Sequence, residues 1–340
     1  MNTSRSPRLG PGGEFRRIEA ILAAADAPPG DLATVGPGDD AAVLAPFTGR
    51  LVVSSDLTVE DVHFRRGWMS WEELGWRATA AALSDLAAMG AAAVGALLSL
   101  ALGPEEDETV VEALARGAGR CLRETGGALL GGDLTASPGP LVLDVIVLGR
   151  TERPLTRAGA RPGDEVWVTG RLGGAAAAVE AWRAGQRPDA AARRAFVGPS
   201  PRLREAAWLA DRADIRAAVD LSDGVAGDAG HVAAASAVRL RLDGTALPVH
   251  PAAAAGRSPA AARRMAAAGG EDYELLLVAA PGALPEVGAA FRAEFDVPLT
   301  RIGTVETGEG VTWDDPAGRS TLDGGAGFDH FPGGPGGVEG

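Results

Sequence analysis

The chain contains no lysine: all thirty-two cationic side chains are arginines. That excludes the phosphate-gripping Lys of a P-loop, the strand Lys of protein kinases and any Schiff-base chemistry. Cysteine is almost as scarce, since Cys121 stands alone. No intrachain disulfide or multi-thiolate zinc site can form, and nothing suggests an oxidising compartment. The four histidines show no zinc spacing. Long apolar runs are missing too. The best, residues 86–102, is mostly Ala and Gly and is bordered by Asp85. It is shorter and less apolar than the roughly 20 residues of a spanning helix, and it reads as a buried helix end followed by a core strand. Residues 1–13 carry Arg5 and Arg8 with no apolar stretch behind them, so no signal peptide is expected and the expected location is cytoplasmic. With 45 acids and a formal charge of −13, nucleic acid and anionic membranes are poor partners.

What remains is ordinary globular material, 46% hydrophobic and 23% charged over 340 residues, enough for about two domains at roughly 150 residues each. Apolar spacing predicts helices over 14–25, 71–90, 105–125, 173–184, 201–212, 225–237, 258–268 and 284–295. Strands are expected at 43–44, 51–54, 94–102, 141–148, 165–169, 238–242, 273–278 and 299–305. This alternation favours an α/β fold of layered α/β or α+β type. Apolar periodicity stops over 149–163, which sets the expected boundaries: a tail at 1–12, a first domain at 13–150, a second at 151–331 and a tail at 332–340. Cys121, inside a helical pattern, is read as a small buried hydrophobe.

One residue type recurs between these elements. Aspartates stand beside Gly or Ser in GPGDDAAV (36–43), SSD (54–56), LSD (83–85), GGD (131–133) and DLSDGVAGD (220–228). Each alone is an ordinary turn or cap residue. Short carboxylates on tight turns can also bring hard oxygens to one point, as Mg²⁺ requires. Two ionised carboxylates about 5 Å apart repel by roughly 3 kcal/mol at an effective dielectric near 20. Converging turns of this kind therefore require cations, and cations can hold a triphosphate where no lysine can. GGEDYEL (269–275) sets two acids before a strand, and Glu271 or Asp272 can hold a cationic group there. Gly170, Gly173 and Gly174 open a helix that can meet a phosphate, but GxGxxG is absent. His63 in VEDVHF is either a substrate contact or a packing residue.

Taken in order, GEF (13–15), GPGDDAAV, SSDLTVEDVHF, LSDLAAMGA, GGDLT, LTRAGARPGD, DLSDGVAGDAGH, GGEDYEL and GFDHF (327–331) closely resemble the thiamine-monophosphate kinase family of the aminoimidazole-ribonucleotide-synthetase-like superfamily. The resemblance spans about residues 13–331. It implies a two-domain synthetase-like fold whose N-terminal domain, with an antiparallel sheet, forms a shared β-barrel in a homodimer. It also implies ATP-dependent phosphorylation of thiamine monophosphate with several Mg²⁺ ions and no side-chain acid or base. Carried over residue by residue, the metal ligands are Asp39, Ser54, Ser55, Asp56, Asp85, Asp133, Asp220 and Asp223. ATP falls to Gly132, Asp133, Arg157 and Ser222, and the thiamine phosphate to His63, Glu271 and Phe328, the aromatic stacking on a cationic ring. The chain departs from the family at GGDLTAS, which lacks the usual Thr and Arg, at Asp61 in place of a Gly, and at Phe328 in place of Trp or Tyr. Superfamily relatives with a reactive N-terminal Cys or a Cys-bearing tail are disfavoured by the position of Cys121 and the ending PGGVEG. A non-catalytic nucleotide and Mg²⁺ module is the rival from another class.

Overall fold

The computed structural model describes residues 13–322, apart from residues 38, 40 and 317. The chain divides into two units: 1–155 with 197–211, and 156–196 with 212–340. The second segment of the first unit differs from the sequence reading, which leaves 197–211 in the second domain. The apolar stripe of the helix it contains accounts for the difference, since Leu203, Ala206 and Leu209 are buried. The indole N–H of Trp76 also donates to the Pro199 carbonyl at 3.0 Å, and Arg153 donates to the Ala210 carbonyl at 3.1 Å.

In the first unit, α1 (Gly13–Ala25) precedes a small pair, β1 (Ala33–Val35) and β2 (Val43–Leu44). Then come β3 (Arg50–Val59), α2 (Trp71–Ala88), β4 (Ala92–Leu102), α3 (Glu108–Thr125), β5 (Ala128–Ala136) and β6 (Val142–Thr151). The main sheet has the order β3-β6-β4-β5. Its β3–β6 and β6–β4 pairs are antiparallel and β4–β5 is parallel. The expected antiparallel sheet is thus corrected at one edge, because α3 carries the chain from the end of β4 back to the start of β5. Local chemistry sets the helix ends. Ser70 and Glu73 form a capping box on α2, Asp107 caps α3, and Gly126 closes α3 in the left-handed region.

The helices of this unit pack backbone to backbone. A Cβ on Gly75 of α2 would lie 2.0 Å from the Leu114 carbonyl oxygen. One on Gly117 of α3 would lie 1.9 Å from that of Glu72, and one on Gly119 would lie 1.8 Å from that of Ala25. These glycines are where α3 touches α2 and α1.

The second unit starts with β7 (Glu165–Thr169), α4 (Gly174–Arg183) and α5 (Ala190–Val197). α6 (Leu203–Arg212) carries the segment that packs with the first unit. The chain then runs through β8 (Ile215–Asp220), α7 (Val225–Ser236), β9 (Arg239–Asp243), α8 (Pro251–Ala254), α9 (Pro259–Ala268), β10 (Leu275–Ala279) and α10 (Ala283–Phe295). It ends in β11 (Leu299–Glu306), β12 (Gly310–Asp315) and β13 (Gly318–Leu322). The sheet order is β13-β12-β9-β11-β7-β10-β8, antiparallel except between β12 and β9. Its core gathers Val166, Val168, Val219, Val232, Leu240, Leu276 and Ile302. Among the described residues no helix is long and apolar enough to cross a membrane. Cys121 is buried in α3 as expected, and burial pushes its thiol far up from the usual range.

Gly117→Ala tests the close packing through its sign. Helix propensity alone would stabilise by about 1 kcal/mol. The contact with Glu72 makes the expected result a loss of about 1–3 kcal/mol, read by denaturant unfolding.

Candidate functional site

The acids expected on turns are mostly carried by regular elements. Ser54, Ser55 and Asp56 lie within the ten-residue strand β3, Asp85 lies in the last turn of α2, Asp133 lies in β5, and Asp220 ends β8. The tight-turn expectation is corrected for these residues. β-Branched Val52, Val53, Thr58 and Val59 extend the ladder across the Ser–Ser–Asp step, and β6 pairs with it from Arg50 to Val59.

Strand alternation then divides the first unit's polar groups. Ser54 and Asp56 share a face, and the Ser54 hydroxyl donates to Asp85 Oδ2 at 2.5 Å. Burial pushes the Asp56 carboxyl up to about 6, the Asp85 carboxylate pushes it the same way, and Arg77 opposes them. Ser55 faces the other side and donates to Asp144 Oδ1 at 2.7 Å. Cross-strand register puts Asp144 opposite Ser99, and Ser99 opposite Asp133. Ser55, Asp144, Ser99 and Asp133 therefore belong to one face. Asp39 and Asp133 line a cavity of about 720 Å³ with Ser99, Gly131 and Gly132, its apolar wall formed by Ile18, Ile21, Leu97 and Leu148. The diglycine is required here: φ is 155° at Gly131 and 154° at Gly132, and a Cβ on Gly132 would lie 1.8 Å from the Leu98 carbonyl oxygen.

His63 follows β3 in a turn where Asp61 has φ 64°. Its Nδ1 accepts the Val59 amide at 3.0 Å, which leaves the ring proton on Nε2. The same loop is anchored by Arg66, which pairs with the buried Glu60 and Glu106.

In the second unit two loops are sewn together. The amides of Glu271 and Tyr273 donate to the carbonyls of Ser222 and Leu221 at 2.8 and 2.9 Å, and the Leu221 amide donates to the Glu274 carbonyl at 2.8 Å. Glu271 (φ 73°) and Tyr273 (φ 51°) both take the left-handed region, strain of a kind that collects at functional sites. The Tyr273 hydroxyl donates to Glu271 Oε2 at 3.2 Å. Asp272 turns away from this pair, and its Oδ2 accepts the Gly173 amide at 2.7 Å, at the start of α4. Burial pushes its carboxyl up to about 8 against the pull of the Gly173, Ala175 and Gly174 amides. Of the two acids that can hold a cationic group, Asp272 is thus spent on the helix, and by filling the terminus of α4 it gives Gly173 and Gly174 a structural role.

Asp220 is buried, Ser222 and Asp223 are half-buried, and Arg157 is exposed. The Asp223 amide donates to Asp228 Oδ2 at 3.1 Å. Burial, with Asp220 and then Asp223, pushes the Asp228 carboxyl up to about 8. The ligand set read from the sequence omits Asp228 and Asp144. Asp228 is visible in DLSDGVAGD, whereas Asp144 is a lone acid in a β-branched run and only the strand register gives it meaning. Phe328 and the GFDHF segment lie outside the described residues, as do the tails at 1–12 and 332–340.

Two family models match the chain, that for the AIR synthase related protein N-terminal domain over residues 38–151 and that for the C-terminal domain over residues 161–314. The thiamine-monophosphate kinase of Rhodopirellula baltica is 34% identical over 285 residues, 80% of this chain and 83% of that protein. The chain belongs to the thiamine-monophosphate kinase family. The crystal structure of the family member from Stenotrophomonas maltophilia superposes with a TM-score of 0.77 at 36% identity, covering 90% of this chain and 97% of that one. AaThiL, solved in complex with AMPPCP and TMP, gives 0.72 at 29% identity over 86% and 91%. The synthetase-like two-domain fold is thus shared with these relatives.

The donor set around Asp56 and Asp85 consists of hard oxygens, which suits Mg²⁺. The raised carboxyls of Asp56, Asp228 and Asp272 also set a pH dependence. Each is protonated more readily folded than unfolded, so its contribution is favourable below the unfolded value near 4 and is lost as pH rises through its folded value. The metal-free protein is expected to lose Tm progressively from about pH 4 to about pH 8, the Asp56 part being complete near pH 6. A divalent cation must displace the Asp56 proton, so the Mg²⁺-induced rise in Tm should grow from pH 5 to pH 7. Differential scanning fluorimetry with and without Mg²⁺ checks this, and a Mg²⁺ effect that does not vary with pH would refute it.

Proposed function

We propose that this protein transfers the γ-phosphoryl group of ATP to thiamine monophosphate, giving thiamine diphosphate and ADP, the last step of thiamine diphosphate biosynthesis, with Mg²⁺ as the ion. The observation that carries the reading is the gathering of Ser54, Asp56 and Asp85 about one point, with Asp56 pushed up by burial and by Asp85, in a chain of this kinase family. The AMPPCP and TMP bound by AaThiL support the choice of substrates.

The acceptor is a phosphate oxygen, already ionised at neutral pH, so no side-chain base is needed. The chain's work is to position two anionic groups and to neutralise the charge that spreads between them. Mg²⁺, held by carboxylates and hydroxyls among Asp39, Ser54, Ser55, Asp56, Asp85, Asp133, Asp220 and Asp223, supplies the positive charge that lysine does not. Gly132 leaves backbone open beside Asp133 for the nucleotide. Arg157 brings a guanidinium to its phosphates and Ser222 a hydroxyl. His63 and Glu271 are assigned to the thiamine phosphate, Glu271 being held by Tyr273, and Phe328 is assigned with them by the resemblance.

The same reading includes a cytoplasmic location and a homodimer. β3 is an edge strand, and on one of its faces Leu51, Val53 and Leu57 are 50%, 57% and 53% exposed. A long apolar edge of this kind is an aggregation hazard unless it is covered, and a second copy of the chain is the cover proposed. Leu57→Arg should lower the mass found by light scattering to that of one chain, and an unchanged mass would remove this face from the interface.

Incubation with ATP, Mg²⁺ and thiamine monophosphate should release ADP, with free thiamine as the inactive control. No ADP above background would leave only a binding module, and turnover of free thiamine would indicate a different kinase. Asp133→Asn should cut turnover by at least about a hundredfold, the scale of a lost electrostatic stabiliser, with Tm unchanged. Full activity would take Asp133 off the metal list.

A further inference from the structure

GGEDYEL carries a third acid, Glu274, to which neither the resemblance nor the proposed reaction gives a role. It stands at the mouth of β10, a strand buried along its whole length, and is itself only 6% exposed. A carboxylate so placed is costly unless it is held. The fully buried Thr169, which ends the neighbouring strand β7, supplies the hold. Its hydroxyl donates to Glu274 Oε2 at 2.6 Å, and its oxygen accepts the Leu275 amide at 2.9 Å. The carboxylate lies directly over Gly170, where a Cβ would come within 1.9 Å of Oε1 and 2.5 Å of Oε2. Gly170 also has φ 62°, so the turn after β7 is shaped to receive this side chain.

Asp272 reaches the same turn from the same loop, since its Oδ2 accepts the Gly173 amide. Two acids of the loop thus grip the two ends of the β7–α4 turn, residues 169–173. Tyr273, between them, and Glu271, just before them, are the residues in left-handed backbone, and these two bond to each other through the Tyr273 hydroxyl. Backbone of that kind in a residue other than glycine persists only where its surroundings over-determine it.

We propose that Thr169 and Glu274 are positioning residues: with Asp272 they clamp the loop onto the β7–α4 turn, and the clamp holds Glu271 in the strained conformation from which its carboxylate meets the cationic ring of thiamine monophosphate. Glu271 acts on the substrate by its charge, and Glu274 acts only through Glu271. The inference rests on the proposed function for the identity of that substrate.

The test uses the full-length protein with Mg²⁺. Thr169→Val keeps the shape of the side chain and removes the hydroxyl from both of its bonds. Hydrogen exchange over residues 269–275 should then quicken, since the Glu271 and Tyr273 amides are bonded across to Ser222 and Leu221. Calorimetric affinity for thiamine monophosphate should fall about tenfold, with affinity for AMPPCP and kcat at saturating substrate within about twofold. Thr169→Ser, which restores the hydroxyl, should bring both readouts back. In a Glu271→Gln background Thr169→Val should cost no further affinity. Unchanged exchange overturns the clamp. Faster exchange with unchanged affinity for thiamine monophosphate, or a further loss in the double variant, overturns the positioning role. Weakened binding in Thr169→Val beside a wild type without turnover removes the kinase reading and keeps the clamp. Turnover with Thr169→Val binding like the wild type does the reverse, and a wild type that does not bind thiamine monophosphate overturns both.

Discussion

Like charge held at close quarters is the constraint on which the rest of this molecule depends. The chain has 45 acids and no lysine, and it directs several acids inward. Asp56 lies beside Asp85, and Asp228 lies beside Asp220 and Asp223. Arg77 and Arg157 offset these clusters only in part. A fold that accepts such crowding holds part of it as protonated carboxyls, Asp56 and Asp228 both being raised well above the usual carboxylate range. Phosphoryl transfer, in which negative charge must be gathered and spread, is a reaction that benefits from cations so placed.

The scaffold gives that crowding its precision. Carboxylates on a ten-residue strand, a helix end and a paired diglycine strand have less freedom than carboxylates on turns, and sites built on such elements hold geometry more closely. The contacts of Gly75, Gly117 and Gly119 fix α1, α2 and α3 at backbone distance, and α2 carries Asp85. In the second unit the sewn loops at 221–224 and 270–274 hold Glu271 and Tyr273 in left-handed backbone. Asp272 is committed to the start of α4, so that loop is tied down on either side of Glu271.

The readable parts of the sequence are those in which one face is consistently apolar. The spacing over 165–169, 225–237 and 299–305 identifies β7, α7 and β11 to within a residue, because burial on one side imposes the period. β8 gives no such signal, since Ile215–Asp220 is a short run in which Ile, Arg, two Ala, Val and Asp show no clear period. β3 reads as ending at Ser54, because polar residues look like the end of a strand when the partner that continues the ladder, β6, lies ninety residues away. The family motifs point to Asp56, Asp85 and Asp133, but the separation of Ser55 from Ser54 and the place of Asp144 follow from alternation and register.

Residue chemistry by itself determined that arginine and not lysine must serve any phosphate contact made by a side-chain cation here, that no intrachain disulfide or multi-thiolate zinc site can form, and that the motif order is that of a kinase family. These follow from which groups exist and in what order, and folding cannot change them. Tertiary structure decided which acids meet, which face of the sheet each one serves, and that Asp272 is spent on a helix while Asp228 is buried beside Asp220 and Asp223. Those outcomes depend on strand register, burial and backbone approach between segments far apart in the chain, and no local pattern of residues encodes them.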